Sequence, residues 1–217
     1  MKKAKASKKA VVHKRVSDVA PTYFECPECG YLTADPKFGS HEIACPVCAA
    51  FGDSRRTFPT DRLRRLDSRI RAYYRESEHE IVVILAETFL ESILEDIIDR
   101  ILTAQGASLN VRELVFDSQR SIGARIGRLF PSLVGESFED VAAELGFRDF
   151  PRRWRATRAV RNAFIHDSPF RGPQEALTSK DSDTAMELLD QAYALFVLIN
   201  NRFVAGSFPK TPQQKHG

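Results

Sequence analysis

Residues 79–104 set the architecture that this chain can adopt. Apolar side chains recur there every three or four residues and make a broad stripe along a helix. They occupy positions 82, 86, 89, 90, 93, 94, 97, 98, 101 and 102. Gly106 follows, in the position where helices commonly end. The pattern predicts a long helix at the centre of a helical bundle, and therefore a mainly α fold.

Acidic residues recur every four residues along the same helix, outside the apolar stripe. The simplest interpretation of this row is a solvated helix face. In the alternative interpretation, Glu91 orders an arginine of a functional site from across the bundle. The row consists of Glu87, Glu91, Glu95 and Asp99.

Other helical segments surround the central one. Pro131 and Gly135 are expected to end the second of them. Thr184 with Glu187 fits a capping box, which places the start of the last helix near that pair. The predicted helices span residues 61–75, 110–129, 137–145, 151–166 and about 184–204.

The four cysteines form two C-x2-C pairs separated by fifteen residues, a spacing typical of a tetrathiolate zinc site. This pattern resembles a zinc ribbon over residues 21–52, with a small hairpin between the pairs. Four thiolates leave no open position for a substrate, so the zinc is expected to be structural. Two disulfides are the alternative, which a reducing compartment disfavours. Whether the ribbon binds nucleic acid or protein is left open. The predicted ligands are Cys26, Cys29, Cys45 and Cys48.

The basic charge of the chain is concentrated near its beginning. The net charge is +3, but residues 1–20 carry six lysines and Arg15 against Asp18, so the remainder is slightly acidic. We expect residues 1–20 and 206–217 to be disordered tails and residues 53–60, polar with a proline, to be a linker. The sequence shows no secretory signal and no apolar segment long enough to span a bilayer. A cytoplasmic protein without a membrane partner is therefore expected.

The segment Arg161-Asn162-Ala163-Phe164-Ile165-His166 carries the candidate chemistry. On a helix, Asn162 and His166 share a face, whereas Arg161 and His166 diverge by about 140°. All three meet only if the helix ends around residues 167–169 or if the segment pairs with a second copy. The alternative is that this segment is the end of a helix without a functional site. The core face of this helix is predicted to be Ala156, Val160, Ala163 and Phe164.

An arginine, a carboxamide and a histidine are suited to cleaving RNA. Histidine titrates near neutral pH and can serve as general acid or base. Arginine presents a planar fork of donors to phosphate oxygens and keeps its charge. One such set supplies one histidine, whereas two sets facing each other supply both an acid and a base.

The Arg161-Asn162 pair followed by His166, before a proline-containing loop and a final amphipathic helix, resembles the HEPN superfamily over residues 61–205. The resemblance implies a helical bundle that forms a homodimer, with one motif from each subunit in a shared cleft. It implies a metal-independent endoribonuclease, often in toxin–antitoxin or antiviral systems, with an antitoxin or a defence protein as a further partner. Arg161 is then expected to bind phosphate, His166 to act as acid or base, and Asn162 to support them.

A cluster of arginines precedes the motif around Trp154, and it is a candidate path for an RNA backbone. A solvated arginine face that pairs with the acidic row is the alternative. The predicted RNA-binding residues are Arg152, Arg153, Arg155 and Arg158. For the whole chain, a non-catalytic module that binds nucleic acid or protein is the second hypothesis.

Overall fold

The computed structural model describes residues 19–51, 55–166 and 176–206. Over these ranges the chain is mainly helical, with a small antiparallel sheet near its beginning. The strands are β1 (Tyr23–Glu25), β2 (Leu32–Thr33) and β3 (Arg56–Phe58), in the order β2-β1-β3. The predicted tails at 1–20 and 206–217 lie almost entirely outside the described residues. Within the described ranges, the structure contains no helix with the length and apolar content needed to cross a membrane.

The helices follow the predicted order with several changes of boundary. The first is α1 (Pro36–Gly39), and α2 (Asp61–Arg75) and α3 (His79–Ala104) follow β3. The middle of the chain forms α4 (Leu109–Ser118), α5 (Ile122–Ala124), a π-helical segment (Arg125–Leu129) and α6 (Phe130–Val134). The last three helices are α7 (Phe138–Glu144), α8 (Phe150–His166) and α9 (Ser179–Phe203).

Helix α3 lies at the centre of the bundle, between α2 and α9. Every residue of the predicted apolar stripe is buried, from Val82 to Leu102. Burial of a leucine or isoleucine side chain stabilises the fold by about 1.5–3 kcal/mol, so this helix contributes a large part of the core. The prediction of a mainly α bundle around residues 79–104 is confirmed.

The last helix begins earlier than predicted. Its N-cap is Thr178, whose backbone N–H donates to the Asp181 carboxylate at 2.8 Å, while the Thr178 hydroxyl donates to the same carboxylate at 2.7 Å. Thr184 is inside α9, and its hydroxyl donates to the Lys180 carbonyl. The prediction placed the start too late because Thr178 and Asp181 form an equally good capping box one and a half turns upstream.

The predicted helix at 110–129 is interrupted in the structure. Ser121 begins a new helix, and its hydroxyl accepts a hydrogen bond from the Ala124 N–H at 3.1 Å. Pro131 does not end a helix, because it stands in the first turn of α6, where a proline is tolerated. Gly135, with φ of +80°, ends α6 as predicted.

Helix α8 turns a different face to the core than the sequence suggests. Ala156, Val160 and Ala163 are exposed, and Phe164 is half-buried. The prediction of the core face is wrong for Ala156, Val160 and Ala163, whereas Phe164 packs against the core. The buried residues are Phe150, Pro151, Trp154 and Thr157. The rings of Phe150 and Trp154 bury more apolar area than alanines can, so they decide which face points inward.

The sheet near the beginning of the chain is packed onto the bundle. Residues 56–58, inside the predicted linker, form β3 and pair with β1. Helix α1 replaces the hairpin expected between the cysteine pairs, because Asp35 caps it by accepting from the Lys37 N–H at 2.9 Å. Arg100 of α3 donates two hydrogen bonds to Glu25 of β1, at 2.9 and 3.0 Å. The ribbon is thus fixed to α3 through a buried ion pair.

The end of α9 holds the first cysteine turn by its backbone. Asn201 accepts from the Leu32 N–H at 2.8 Å and donates to the Leu32 carbonyl at 2.7 Å. Asn200 donates to the Gly30 carbonyl at 2.7 Å, and the Gly206 N–H donates to the Cys29 carbonyl at 3.0 Å. These bonds replace a strand partner that β2 lacks on its outer edge.

Removal of the Asn201 carboxamide tests this junction. We expect Asn201→Ala to lower the free energy of unfolding by about 1–3 kcal/mol, because two backbone groups lose their partner. Urea denaturation followed by circular dichroism measures the change. The control is Asn110→Ala on exposed α4, which should stay within about 0.5 kcal/mol of the wild type. Equal stability of the two variants would show that the hydrogen bonds of Asn201 do not stabilise this junction.

Candidate active site and metal centre

The four cysteines converge on one point. The Sγ atoms of Cys26 and Cys48 are 3.7 Å apart, and those of Cys29 and Cys45 are 3.5 Å apart. All four sulfurs lie within 4.8 Å of one another. A tetrahedral ion with Zn–S bonds of about 2.3 Å places its sulfurs about 3.8 Å apart, so the arrangement fits a tetrahedral metal ion. The cysteines are free thiols, and the disulfide alternative does not describe this structure.

A cation lies beside the sulfur cluster. The Arg55 Nη1 is 3.7 Å from the Cys26 Sγ, and its guanidinium stacks 3.9 Å from the centre of the Phe38 ring. Four thiolates around a divalent ion carry a net charge of −2, which this guanidinium partly offsets. Phe38 is fully buried and packs against the cysteines. Arg55 is a residue that sequence reasoning missed, because it follows the last cysteine by seven residues.

The three motif residues lie in the last two turns of α8. Asn162 and His166 are exposed, and the Arg161 side chain is 18% exposed. The helix continues through His166, so Arg161 and His166 diverge by about 140° within one chain. Residues 167–169, where the helix was expected to end, lie outside the described residues. The described part of one chain therefore does not bring the arginine and the histidine together.

Glu91 of α3 holds Arg161. Its Oε1 accepts from the Arg161 Nη2 at 3.1 Å, and the pair is partly buried. The Arg161 Nε is buried and has no hydrogen-bond partner among the described residues. The interpretation of Glu91 as the residue that orders this arginine from across the bundle agrees with this contact, and its interpretation as a solvated residue does not.

A second carboxylate, Glu87, is fully buried one turn before Glu91. The Trp154 Nε1–H donates to both of its oxygens, at 3.0 and 3.1 Å. Burial, with the negative charge of Glu91 beside it, raises the pKa of Glu87 to about 7, although Arg161, Trp154 and Arg158 oppose the shift. Glu87 is therefore a buried acid that titrates near neutral pH, a property common in functional sites.

Glu87 was predicted to lie on a solvated face together with the rest of the acidic row. That prediction is wrong for this residue, since its side chain is enclosed. The sequence around Glu87 does contain a signal for burial. Val83, four residues before it, and Leu90, three residues after it, are both apolar. A position flanked in this way shares the buried face of a helix. Glu95 and Asp99 form ion pairs with Arg125 and Arg112.

The arginines predicted to form an RNA path are divided by the structure. Arg152 pairs with Asp149 at 3.1 Å, Arg153 with Glu187 of α9, and Arg155 with Glu139 of α7 at 2.6 Å. The Arg158 Nη1 is buried and has no hydrogen-bond partner among the described residues. Arg158 thus differs from the other three, each of which forms an ion pair with a carboxylate of the described residues. Trp154 is 2% exposed, which fits a core position.

Comparisons of the chain with protein families, with curated proteins and with solved structures found no match.

Metal analysis tests the cysteine cluster. We expect the purified chain to contain one metal ion, and Cys29→Ser or Cys45→Ser to lose it, because three thiolates bind far more weakly than four. Elemental analysis measures the content, and thermal unfolding with and without a chelator measures its effect on stability. A folded, metal-free protein with four reactive thiols would contradict the assignment, and recovery of the melting temperature after metal addition is the control.

The pH dependence of stability tests Glu87. Its pKa of about 7 in the folded protein lies above its ordinary value of 4.5, so its contribution is full below pH 4.5 and is lost as the pH rises through 7. The loss amounts to about 3 kcal/mol. We expect Glu87→Gln, which still accepts from Trp154, to become more stable relative to the wild type as the pH rises from 5 to 8.

Urea denaturation at several pH values measures this difference. Glu113→Gln, at an exposed position of α4, is the matched control and should follow the wild-type profile. A Glu87→Gln profile parallel to the wild type would show that Glu87 does not titrate in this range.

Proposed function

We propose that the chain is an endoribonuclease that cleaves RNA without a catalytic metal and leaves a 2′,3′-cyclic phosphate. The observation that carries the proposal is the state of Arg161. It is held in place by Glu91 at 3.1 Å, is partly exposed, and stands on the same two turns of helix as exposed Asn162 and His166. A guanidinium fixed before the substrate arrives loses little entropy on binding a phosphate. The resemblance of Arg161, Asn162 and His166 to the HEPN motif agrees with this assignment.

The reaction requires two proton transfers and one stabilised anion. A base removes the proton of the 2′-hydroxyl, whose oxygen attacks phosphorus. Arg161 stabilises the negative charge that develops on the phosphate oxygens. The bond from phosphorus to the 5′-oxygen breaks, and an acid protonates the leaving oxygen. His166 is suited to either proton transfer, so one base and one acid require two copies of His166.

A second copy of α8 fits the exposed face of this helix. Ala156, Ala159, Ala163 and His166 follow each other at intervals of three and four residues, and all are exposed. Small side chains let two helices approach closely. Val160, which is 40% exposed, adds apolar area to the same face. A crossing of two α8 helices close to Ala163 would bring the two His166 side chains to one cleft, and we assign the dimer interface to this stripe.

We assign zinc to the cysteine cluster as a structural ion. Four thiolate ligands at tetrahedral spacing favour zinc or iron, and an ion without an open coordination position does no acid–base chemistry. The ion then folds the first cysteine turn onto the end of α9. Cleavage should persist in a chelator until the ribbon loses its metal.

The variants Arg161→Ala and His166→Ala test the nuclease. We expect each to lower the rate of RNA cleavage at least about 10²-fold, because general acid–base catalysis and phosphate stabilisation each contribute 10²–10⁴. The readouts are cleavage of a labelled RNA and identification of the cyclic phosphate. Arg69→Ala on exposed α2 is the control for lost charge. Wild-type rates in both motif variants, with the fold intact, would refute the proposal.

Mixed dimers extend this test to the second subunit. A wild-type chain paired with an excess of His166→Ala forms dimers with one His166, which cannot supply both an acid and a base. A composite cleft should therefore lose most of the wild-type activity on mixing. Sites that lie within single chains would keep it.

A binding module without catalysis is the second candidate. It is favoured by the ion pair that already engages Arg161 and by the place of His166 at the last described turn of α8, where a cation interacts favourably with the helix dipole. This candidate predicts no cleavage at any protein concentration. It also predicts that binding of nucleic acid or protein is lost in the Cys29→Ser variant.

A further inference from the structure

A cavity of about 120 Å³ lies between α8 and the π-helical segment. Its lining includes Gly123 and Gly127, the side chains of Trp154, Arg155 and Arg158, and the carboxylate of Glu139. Arg158 precedes Arg161 by three residues, which places the two on neighbouring turns of one helix, about 4.5 Å apart along its axis. One residue of the cavity wall therefore lies about one turn before the proposed catalytic arginine.

The two glycines are not required by the packing of the described chain. Both occupy helical backbone, where glycine is less stable than alanine. A Cβ atom added at either position meets no atom within 4 Å. Alanine would fit at both positions, so what glycine provides there is open space beside an accessible backbone. A π-helical turn at the same place widens the helix, and such turns are frequent at functional sites.

One guanidinium at the cavity has a donor that is not used. Arg155 pairs with Glu139 at 2.6 Å. The Arg158 Nη1 is buried and donates no hydrogen bond within the described part of the chain. Glu87 interacts with Arg158 electrostatically, but no hydrogen bond between them is formed. A buried guanidinium N–H without a hydrogen-bond acceptor destabilises the fold, because its desolvation is not compensated. An anionic oxygen is the acceptor that forms the strongest hydrogen bond with it.

We propose that this cavity binds a phosphate group of the RNA strand next to the phosphate that is cleaved. Arg158 donates to its oxygens, and Gly123 and Gly127 leave room for the sugar–phosphate backbone. The proposal rests on the proposed function for the identity of the ligand, since the same chemistry would also accept free phosphate. By holding the adjacent phosphate, Arg158 would determine which phosphate of the RNA strand lies at Arg161.

Gly127→Ala separates this role from folding. The substitution adds one methyl group to the cavity wall and should leave the melting temperature equal or higher, because alanine favours the helix. We expect it to weaken binding of a 2′-O-methyl RNA, which cannot be cleaved, at least fivefold. Arg158→Met should weaken binding at least tenfold and reduce the slope of log K against log salt by about one. Arg69→Met on exposed α2 is the matched control for charge and should change binding less than twofold.

Trp154 provides a direct readout, because it lines the cavity and is the single tryptophan of the chain. Titration with the 2′-O-methyl RNA should change its fluorescence, and the midpoint of the change should lie at an RNA concentration at least fivefold higher in Gly127→Ala than in the wild type. Inorganic phosphate should compete only at far higher concentration. Saturation by inorganic phosphate with no response to RNA would overturn RNA as the ligand. Wild-type RNA affinity in both cavity variants would overturn the site altogether.

These outcomes are distinct from failure of the nuclease. If the chain does not cleave RNA, but its Trp154 signal responds to RNA at a lower concentration in the wild type than in Gly127→Ala, the cavity proposal is supported and the proposed function is refuted. If the chain cleaves RNA through His166, but the wild type, Gly127→Ala and Arg158→Met bind RNA with equal affinity, the proposed function is supported and the cavity proposal is refuted.

Discussion

Each of four carboxylates along the central helix forms a hydrogen bond or an ion pair with a residue of another helical segment. The arrangement of the bundle depends on these contacts. Glu87 accepts from Trp154 and Glu91 from Arg161, both on α8. Farther along α3, Glu95 and Asp99 pair with arginines of the π-helical segment and α4. Pairs of this kind contribute little net stability, because desolvation offsets most of the attraction. A displacement of α8 by one turn would, however, leave Glu87 buried without its donor, so we infer that the row fixes the register of α8.

The same contacts make the candidate site part of the fold. Arg161 is presented to solvent by Glu91, and the charge of Glu91 is felt by Glu87, which is enclosed behind it. Protonation of Glu87 removes one negative charge from a group that contains two arginines and two carboxylates. The electrostatic field around Arg161 therefore changes over the pH range in which Glu87 titrates. Stability and the proposed chemistry are coupled through one buried carboxyl group.

The ribbon and the bundle also depend on each other. The backbone around the first cysteine turn is held by Asn200, Asn201 and Gly206 at the end of α9, and β1 is held by Arg100 of α3. Disruption of the cysteine cluster would therefore release bonds that stabilise the last turn of α9. The two parts are better described as one folded unit than as modules joined by a linker, because β3 lies in the segment between them and pairs with β1.

The sequence by itself determined the elements whose cause is local: α3 from its apolar stripe, α2 from its periodicity, and the four-cysteine cluster from the spacing of Cys26, Cys29, Cys45 and Cys48. Tertiary structure alone decided which face of α8 is buried, since that choice depends on where the rings of Phe150 and Trp154 find space. It also decided the partner of Glu91, because two residues seventy positions apart leave no periodic signal. Periodicity reports whether a face is apolar, whereas the neighbour of a given charge is set by packing between elements distant in the chain.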